Sequence, residues 1–196
     1  MRRTLFYFHS LSSPWTYLGG PRLHALIAKH DLRVALRPTS VVGKNGGIPL
    51  RSRPANRQAY HEVELDRWRN YLNMPLVLRP AHYPTDPQFS ARMVVAADTL
   101  GWDALNLSHA LLRALWSKKR DVRLPEVRQA VAEALGLDGA RLLAMEESPA
   151  IVERWQTIQQ EAIAAGVFGS PTYGLDGELF WGQDRLDFLD RRLSQS

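Results

Sequence analysis

Leu5-Phe6-Tyr7-Phe8-His9-Ser10-Leu11-Ser12-Ser13-Pro14-Trp15-Thr16-Tyr17-Leu18 opens as a strand and closes as a helix. Leu5 to His9 form an apolar and aromatic run without a breaker, which suits a buried strand. Ser10 to Ser13 supply a short polar turn. Ser13 is placed to cap a helix, and Pro14 stands at the first helical position, where its missing N–H costs nothing. Tyr17, Leu18, Leu23, Leu26 and Ile27 give that helix an apolar face. A strand feeding straight into a helix N-terminus gathers free backbone N–H groups and the positive end of the helix dipole at one point. Such a point accommodates an anion, a thiolate included, with the Ser13 hydroxyl beside it. Taken alone, the same residues also read as an ordinary helix cap.

The helix is expected over Pro14–Lys29, and Leu32 to Arg37 alternate as a second strand that Pro38 should end. Strand, helix, strand makes a βαβ unit, parallel and right-handed. Thr39 to Pro54 is a Gly- and Pro-marked loop, of the length that is usually functional or mobile. A helix then starts at Pro54-Ala55-Asn56-Arg57, carries Tyr60, Val63, Trp68, Tyr71 and Leu72, and stops before Pro75. Further helices are expected at Phe89–Leu100, Asp103–Trp116, Leu124–Leu135, Asp138–Glu147 and Pro149–Ala165, with Gly101, Gly136 and Gly166 as stops. Strands return at Pro171–Leu175 and Glu178–Trp181, joined by the hairpin dipeptide Asp176-Gly177, and a last helix spans Asp184–Leu193. This order predicts an α/β protein, a thioredoxin-like fold with a large all-helical insertion. The thioredoxin-like domain takes residues 1–40 and 166–196, and the helical insertion domain takes residues 41–165.

With 196 residues and 45% hydrophobic content, the chain is long enough for one well-cored domain carrying an insertion. It has no cysteine, which excludes disulfides, thiolate metal sites and a cysteine nucleophile. The apolar run behind Met1-Arg2-Arg3 is too short for a signal peptide, and no segment approaches membrane-spanning length. The expectation is a cytoplasmic protein without a membrane partner. A net charge of +5 raises nucleic-acid binding. The basic residues are scattered among acids, however, and the densest cluster, Lys118-Lys119-Arg120, runs directly into Asp121. No nucleic-acid motif accompanies them, so no nucleic-acid partner is expected, only a modest preference for anionic small molecules.

The expected topology brings three distant turns together. Ser13-Pro14-Trp15-Thr16 lies where redox thioredoxin relatives carry Cys-x-x-Cys. Both cysteine positions are hydroxyl residues here, so dithiol exchange is excluded while a dipole and a hydroxyl remain for a ligand's thiolate. Gly169-Ser170-Pro171-Thr172 offers either a cis-proline that aims the Ser170 backbone at an extended ligand or a plain strand-start proline. Trp181-Gly182-Gln183-Asp184-Arg185 sets an acid at a helix start, either to hold a ligand ammonium or simply as a cap.

Together with Phe6-Tyr7-Phe8, Pro54-Ala55-Asn56-Arg57 and Val167-Phe168, these segments resemble, end to end and in order, the 2-hydroxychromene-2-carboxylate isomerases. Those stand with the kappa-class glutathione transferases in the DsbA-like thioredoxin superfamily. The resemblance implies glutathione as cofactor and Ser13 as the catalytic serine, with Ser12 as the alternative. It implies cofactor contacts from Ser13, Pro14, Trp15 and Asn56, from the Ser170 main chain to the cysteinyl part, and from Gln183 and Asp184 to the γ-glutamyl end. It also implies a small aromatic or electrophilic substrate and a homodimer. His9 departs from the aromatic residue expected in the first strand.

Three functions follow from that resemblance: a glutathione-dependent isomerase of aromatic catabolism, a transferase acting on another electrophile, or a non-catalytic thiol- or peptide-binding module. The substrate is expected between the first turn and the helical block. Arg57 is the residue backed for binding it, and Arg53, Lys44, Tyr60 and Trp15 are further lining candidates. His61, Glu62 and Glu64 lack the spacing of a metal site and read as surface helix, so no metal is expected. His24 and His30, six apart, do not face one another.

Overall fold

The computed structural model describes residues 2–195; Met1 and Ser196, the outermost residues of the two expected thioredoxin-like segments, lie outside it. Strand β1 (Thr4–His9) delivers the chain to helix α1 (Pro14–Lys29). The Ser13 side chain accepts from the Thr16 backbone N–H and Pro14 opens the helix, so the local start is the one its residue types favour. The helix ends at His30 and the chain turns through Asp31 at φ 47°, the left-handed conformation that Asp tolerates. Strand β2 (Arg33–Pro38) runs parallel to β1, in register from Thr4 opposite Arg33 to His9 opposite Pro38. Pairing therefore does not stop before Pro38. Strand β2 is a sheet edge, where proline is tolerated, and the Thr39 N–H donates to the His9 carbonyl at 2.8 Å beyond it.

Six helices follow: α2 (Ala55–Tyr71), α3 (Gln88–Thr99), α4 (Ala104–Trp116), α5 (Pro125–Glu133), α6 (Gly139–Glu146) and α7 (Pro149–Ala164). The loop before α2 holds a short 3-10 turn at Leu50–Ser52, which the sequence reading took as irregular. Strands β3 (Thr172–Leu175) and β4 (Glu178–Trp181) return antiparallel, joined through Asp176 at φ 50° and Gly177 at φ 84°. Two residues with positive φ are what a tight hairpin turn demands. The last helix is expected from Asp184, but Gln183–Arg185 form a separate 3-10 turn and α8 (Leu186–Ser194) begins only after it.

The four-stranded mixed sheet has the order β2-β1-β3-β4. With β1-α1-β2 at one end of the chain and the β3-β4 hairpin plus α8 at the other, this is a thioredoxin fold of the DsbA-like kind. Alternation along β1 divides its side chains between two faces. Leu5, Tyr7 and His9 are fully buried, and on this side His9 and Tyr7 meet Ser108 and His109 of α4. On the other side Phe8 packs with Val41, Ala162 and Val167. Helix α1 lies close to its neighbours because Gly19 and Gly20 carry no side chain. A Cβ on Gly19 would stand 2.9 Å from Gln183 Cβ, and one on Gly20 would stand 3.3 Å from His109 Nδ1. Helix α1 is thus seated against both the last turn of the sheet and the helical block.

Candidate active site

The three turns converge. Ser13 Oγ donates to the Ser170 carbonyl at 3.2 Å and accepts from Thr16 N at 3.2 Å. The Thr16 and Ser170 hydroxyls are 3.0 Å apart, and Ser10 N donates to Ser170 Oγ at 2.7 Å. The hydroxyls of Ser13 and Thr16 are therefore tied to Ser170, the residue before the cis peptide bond to Pro171. Pro171 in turn accepts from Gly182 N at 2.8 Å, which fastens the third turn to the second. Ser13 is half-buried at the N-terminus of α1, while Thr16 is fully buried. Of the two, Ser13 is the residue that keeps partial exposure. Ser12 is also half-buried, but its hydroxyl lies 3.1 Å from that of Ser10.

Backbone packing holds this arrangement. A Cβ on Gly47 would fall 2.1 Å from the Phe168 carbonyl oxygen and 2.5 Å from that of Val42. The loop after β2 thus lies directly on the irregular segment leading to Ser170. Asn45 reinforces it, its Nδ2 donating to the Val167 carbonyl at 2.9 Å. On the other side of Ser170, Trp181 closes over Gly169, and Phe168 meets that indole edge-on at 4.7 Å.

Gln183 and Asp184 sit side by side in very different surroundings. The Gln183 side chain is buried, and both its carbonyl and its Oε1 accept from Arg22 Nη1 at 3.2 Å. Asp184 is exposed and pairs with Arg185 at 2.8 Å. Asn56 lies at the start of α2, exposed, its Oδ1 accepting from Arg57 N at 2.9 Å.

A cavity of about 460 Å³ separates α2 from the start of α1, lined by Trp15, Arg53, Asn56, Arg57, Tyr60, His61 and Glu64. Trp15 immediately follows Pro14, so this space adjoins the Ser13 turn. Lys44 is exposed on the loop and does not line it. His61 and Glu64, read from sequence as plain surface helix, do. The signal lay in spacing: residues 57, 60, 61 and 64 recur on one helical face. His61 stands edge-on to Trp15 at 5.3 Å. Its burial, and then the Arg53 charge, push its pKa down, against a smaller upward pull from Glu62.

His24 pairs with His109 rather than with His30, Nε2 to Nδ1 at 2.8 Å, and His109 Nε2 meets the Tyr7 hydroxyl at 3.2 Å. His9 Nδ1 donates to the Tyr7 carbonyl at 3.0 Å, which leaves Nε2 to accept from Ser108 Oγ at 2.8 Å. Burial holds the pKa of His9 down to about 4 and that of His109 down to about 3. These rings join strand to helix and are neutral at neutral pH. No linear motif announces them, because their partners lie some hundred residues away in sequence.

A thioredoxin sheet with Ser13 and Thr16 at the start of α1, set against a cis-proline loop, defines a thioredoxin-fold protein that has no cysteine for disulfide exchange of its own. The chain belongs to the DSBA-like thioredoxin domain family, whose model matches residues 4–194. It is 30% identical to the 2-hydroxychromene-2-carboxylate isomerase of Pseudomonas putida, covering 97% of this chain and 93% of that protein. It is 24% identical to human glutathione S-transferase kappa 1, covering 98% and 92%. A solved structure of a 2-hydroxychromene-2-carboxylate isomerase superposes with a TM-score of 0.84 at 25% identity, covering 98% of this chain and 95% of that one. The relatives are enzymes, and this chain is a member of their enzyme family. Among the described residues no helix is long and apolar enough to cross a membrane.

Proposed function

We propose that the protein is a glutathione-dependent isomerase of 2-hydroxychromene-2-carboxylate type, acting in aromatic catabolism as a cytoplasmic homodimer. The observation that carries this reading is the Ser13 hydroxyl at the N-terminus of α1, facing the Ser170 carbonyl across 3.2 Å. The donor set fits a tripeptide thiol. A hydroxyl and a helix N-terminus suit a thiolate, a carbonyl beside a cis-proline suits a peptide N–H, and the exposed Asp184 suits an ammonium. The likeness to isomerases along nearly the whole chain, and to a glutathione transferase, supports the same assignment.

Bound there, glutathione would supply a thiolate nucleophile for reversible covalent catalysis. The chain's own residues prepare this. Ser13 turns its proton from the Ser170 carbonyl to the sulfur and, with the α1 dipole, favours thiolate over thiol. The Ser170 carbonyl, once released by Ser13, would be free to accept from the cysteinyl N–H. Pro14 and Trp15 would form the wall beside the thiol, Asn56 would contact the peptide, and Gln183 and Asp184 would hold the γ-glutamyl end. Arg57 faces the substrate carboxylate from the helical side, residues 41–165, while residues 1–40 and 166–196 carry the thiol site.

The kappa-like relative sustains a second reading, a transferase that keeps the thioether instead of releasing it. The deciding experiment follows 2-hydroxychromene-2-carboxylate by absorbance with and without glutathione. Glutathione-dependent formation of the isomerised ring-opened acid supports the isomerase; a stable glutathione adduct supports the transferase.

A further inference from the structure

The isomerase reading leaves one chemical demand unassigned. A 2-hydroxychromene is a cyclic hemiketal, and opening its ring moves a proton. The 2-hydroxyl O–H breaks and its electron pair becomes the second bond of a ketone. The bond from C2 to the ring oxygen breaks, its electron pair stays on the phenolic oxygen, and that oxygen takes up a proton. Atoms and electrons balance without oxidant, reductant or thiol. An acid–base group beside the ring is all that the step requires.

His61 fills the description. It is half-buried, lines the cavity next to the Ser13 turn and stands edge-on to Trp15 at 5.3 Å. The charged groups around it are specific. Arg53 approaches from the loop before α2, and Arg57, Glu62 and Glu64 come from α2 itself; Trp15, from α1, brings no charge. Glu62 is held by Arg79 through two hydrogen bonds of 2.9 and 2.8 Å, and Glu64 by Arg67 at 2.7 Å. Both carboxylates are committed to arginines, and the two cationic wall residues, Arg53 and Arg57, suit the carboxylate at C2 rather than a proton. Tyr60 also lines the wall, its hydroxyl accepting from Arg67 at 3.4 Å, and of the wall groups imidazole is the one whose ordinary range lies nearest neutral pH.

We propose that His61 is a catalytic acid–base residue that takes the 2-hydroxyl proton of a cyclic hemiketal acid and returns it to the phenolic oxygen as the ring opens. The inference rests on the isomerase reading for its substrate, yet the step it assigns precedes any use of the thiol. Burial and Arg53 keep the ring neutral and able to accept the proton at neutral pH.

The two can be tested apart. Thiol-free protein is mixed with 2-hydroxychromene-2-carboxylate in a stopped-flow cell, and ring opening is read from the phenol and enone absorbance. Wild type is expected to open the ring faster than buffer, with a rate that declines as pH falls through the His61 titration. H61Q is expected to lose about 10²-fold of that rate and its pH dependence, and H61A to be rescued by added imidazole. Glutathione binding by both variants, read from thiolate absorbance, is expected to match wild type. Ring opening by H61Q at the wild-type rate overturns the proposal. So does wild type that opens the ring no faster than buffer, or a variant that loses glutathione binding as well, which would make His61 structural. Ring opening that needs His61, with no glutathione-dependent isomerisation, would overturn the parent reading and leave this one standing.

Discussion

Ser13 and Ser170 lie 157 positions apart, and the Ser13 hydroxyl donates to the Ser170 carbonyl at 3.2 Å. That one bond joins the N-terminus of α1 to the cis-proline loop, the two elements a peptide thiol would need at once. S13A removes the donor and also the cap on Thr16 N. The cap loss is expected to cost about 1 kcal/mol of stability, and the lost donor about 10²-fold in turnover. Turnover of folded S13A equal to wild type would remove Ser13 from the mechanism.

Gly47 tests how the site is held. Its position against two backbone carbonyls leaves no room for a methyl group, and backbone cannot step aside as a flexible side chain does. G47A is expected to lower the denaturation free energy by about 1–3 kcal/mol and to weaken glutathione binding together with it. Urea titration and a binding isotherm on the same protein check both. A variant that loses neither would show that the loop does not support Ser170.

Acid should unfold this protein by way of its buried histidines. His9 and His109 titrate at about 4 and about 3 in the fold, against about 6.5 in the unfolded chain. Below pH 6.5 the unfolded chain binds more protons, so stability falls as pH falls, by up to about 1.4 kcal/mol per pH unit for each ring. The loss runs from pH 6.5 down toward the folded values and levels off beneath them. Urea denaturation at a series of pH values measures the slope. H9F is expected to flatten it, and an unchanged slope would place the acid sensitivity elsewhere.

Much of this was readable beforehand, and the reasons are local. Ser13-Pro14 fixed the start of α1, Asp176-Gly177 fixed the hairpin, and glycines closed the helices, because each obeys backbone sterics within a few residues. Pro38 is the last residue of β2, and it still pairs with His9 because β2 lies at the sheet edge. The separate 3-10 turn at Gln183–Arg185 was missed because Asp184 resembles a helix cap in sequence. His61 and Glu64 were read as solvated helix because a cavity wall is defined by what stands opposite, here Trp15, forty-six residues earlier. The pairing of His24 with His109 was unreadable for the same reason.

Asp184 separates affinity from chemistry. It is exposed at the third turn. D184A is expected to raise the glutathione dissociation constant about 10-fold, the worth of one charge-assisted hydrogen bond, while turnover at saturating glutathione stays near wild type. An unchanged dissociation constant would remove it from the γ-glutamyl site.

The central claim is that Ser13 and the N-terminus of α1 bind glutathione as its thiolate. Its most direct test is a glutathione titration followed through the ultraviolet absorbance of the thiolate across pH, with S13A alongside. Saturable binding is expected, with ionisation of the bound sulfur at lower pH than in free glutathione and return of that ionisation toward the free value in S13A. Absence of binding, or a bound sulfur that ionises as it does in solution, would contradict it.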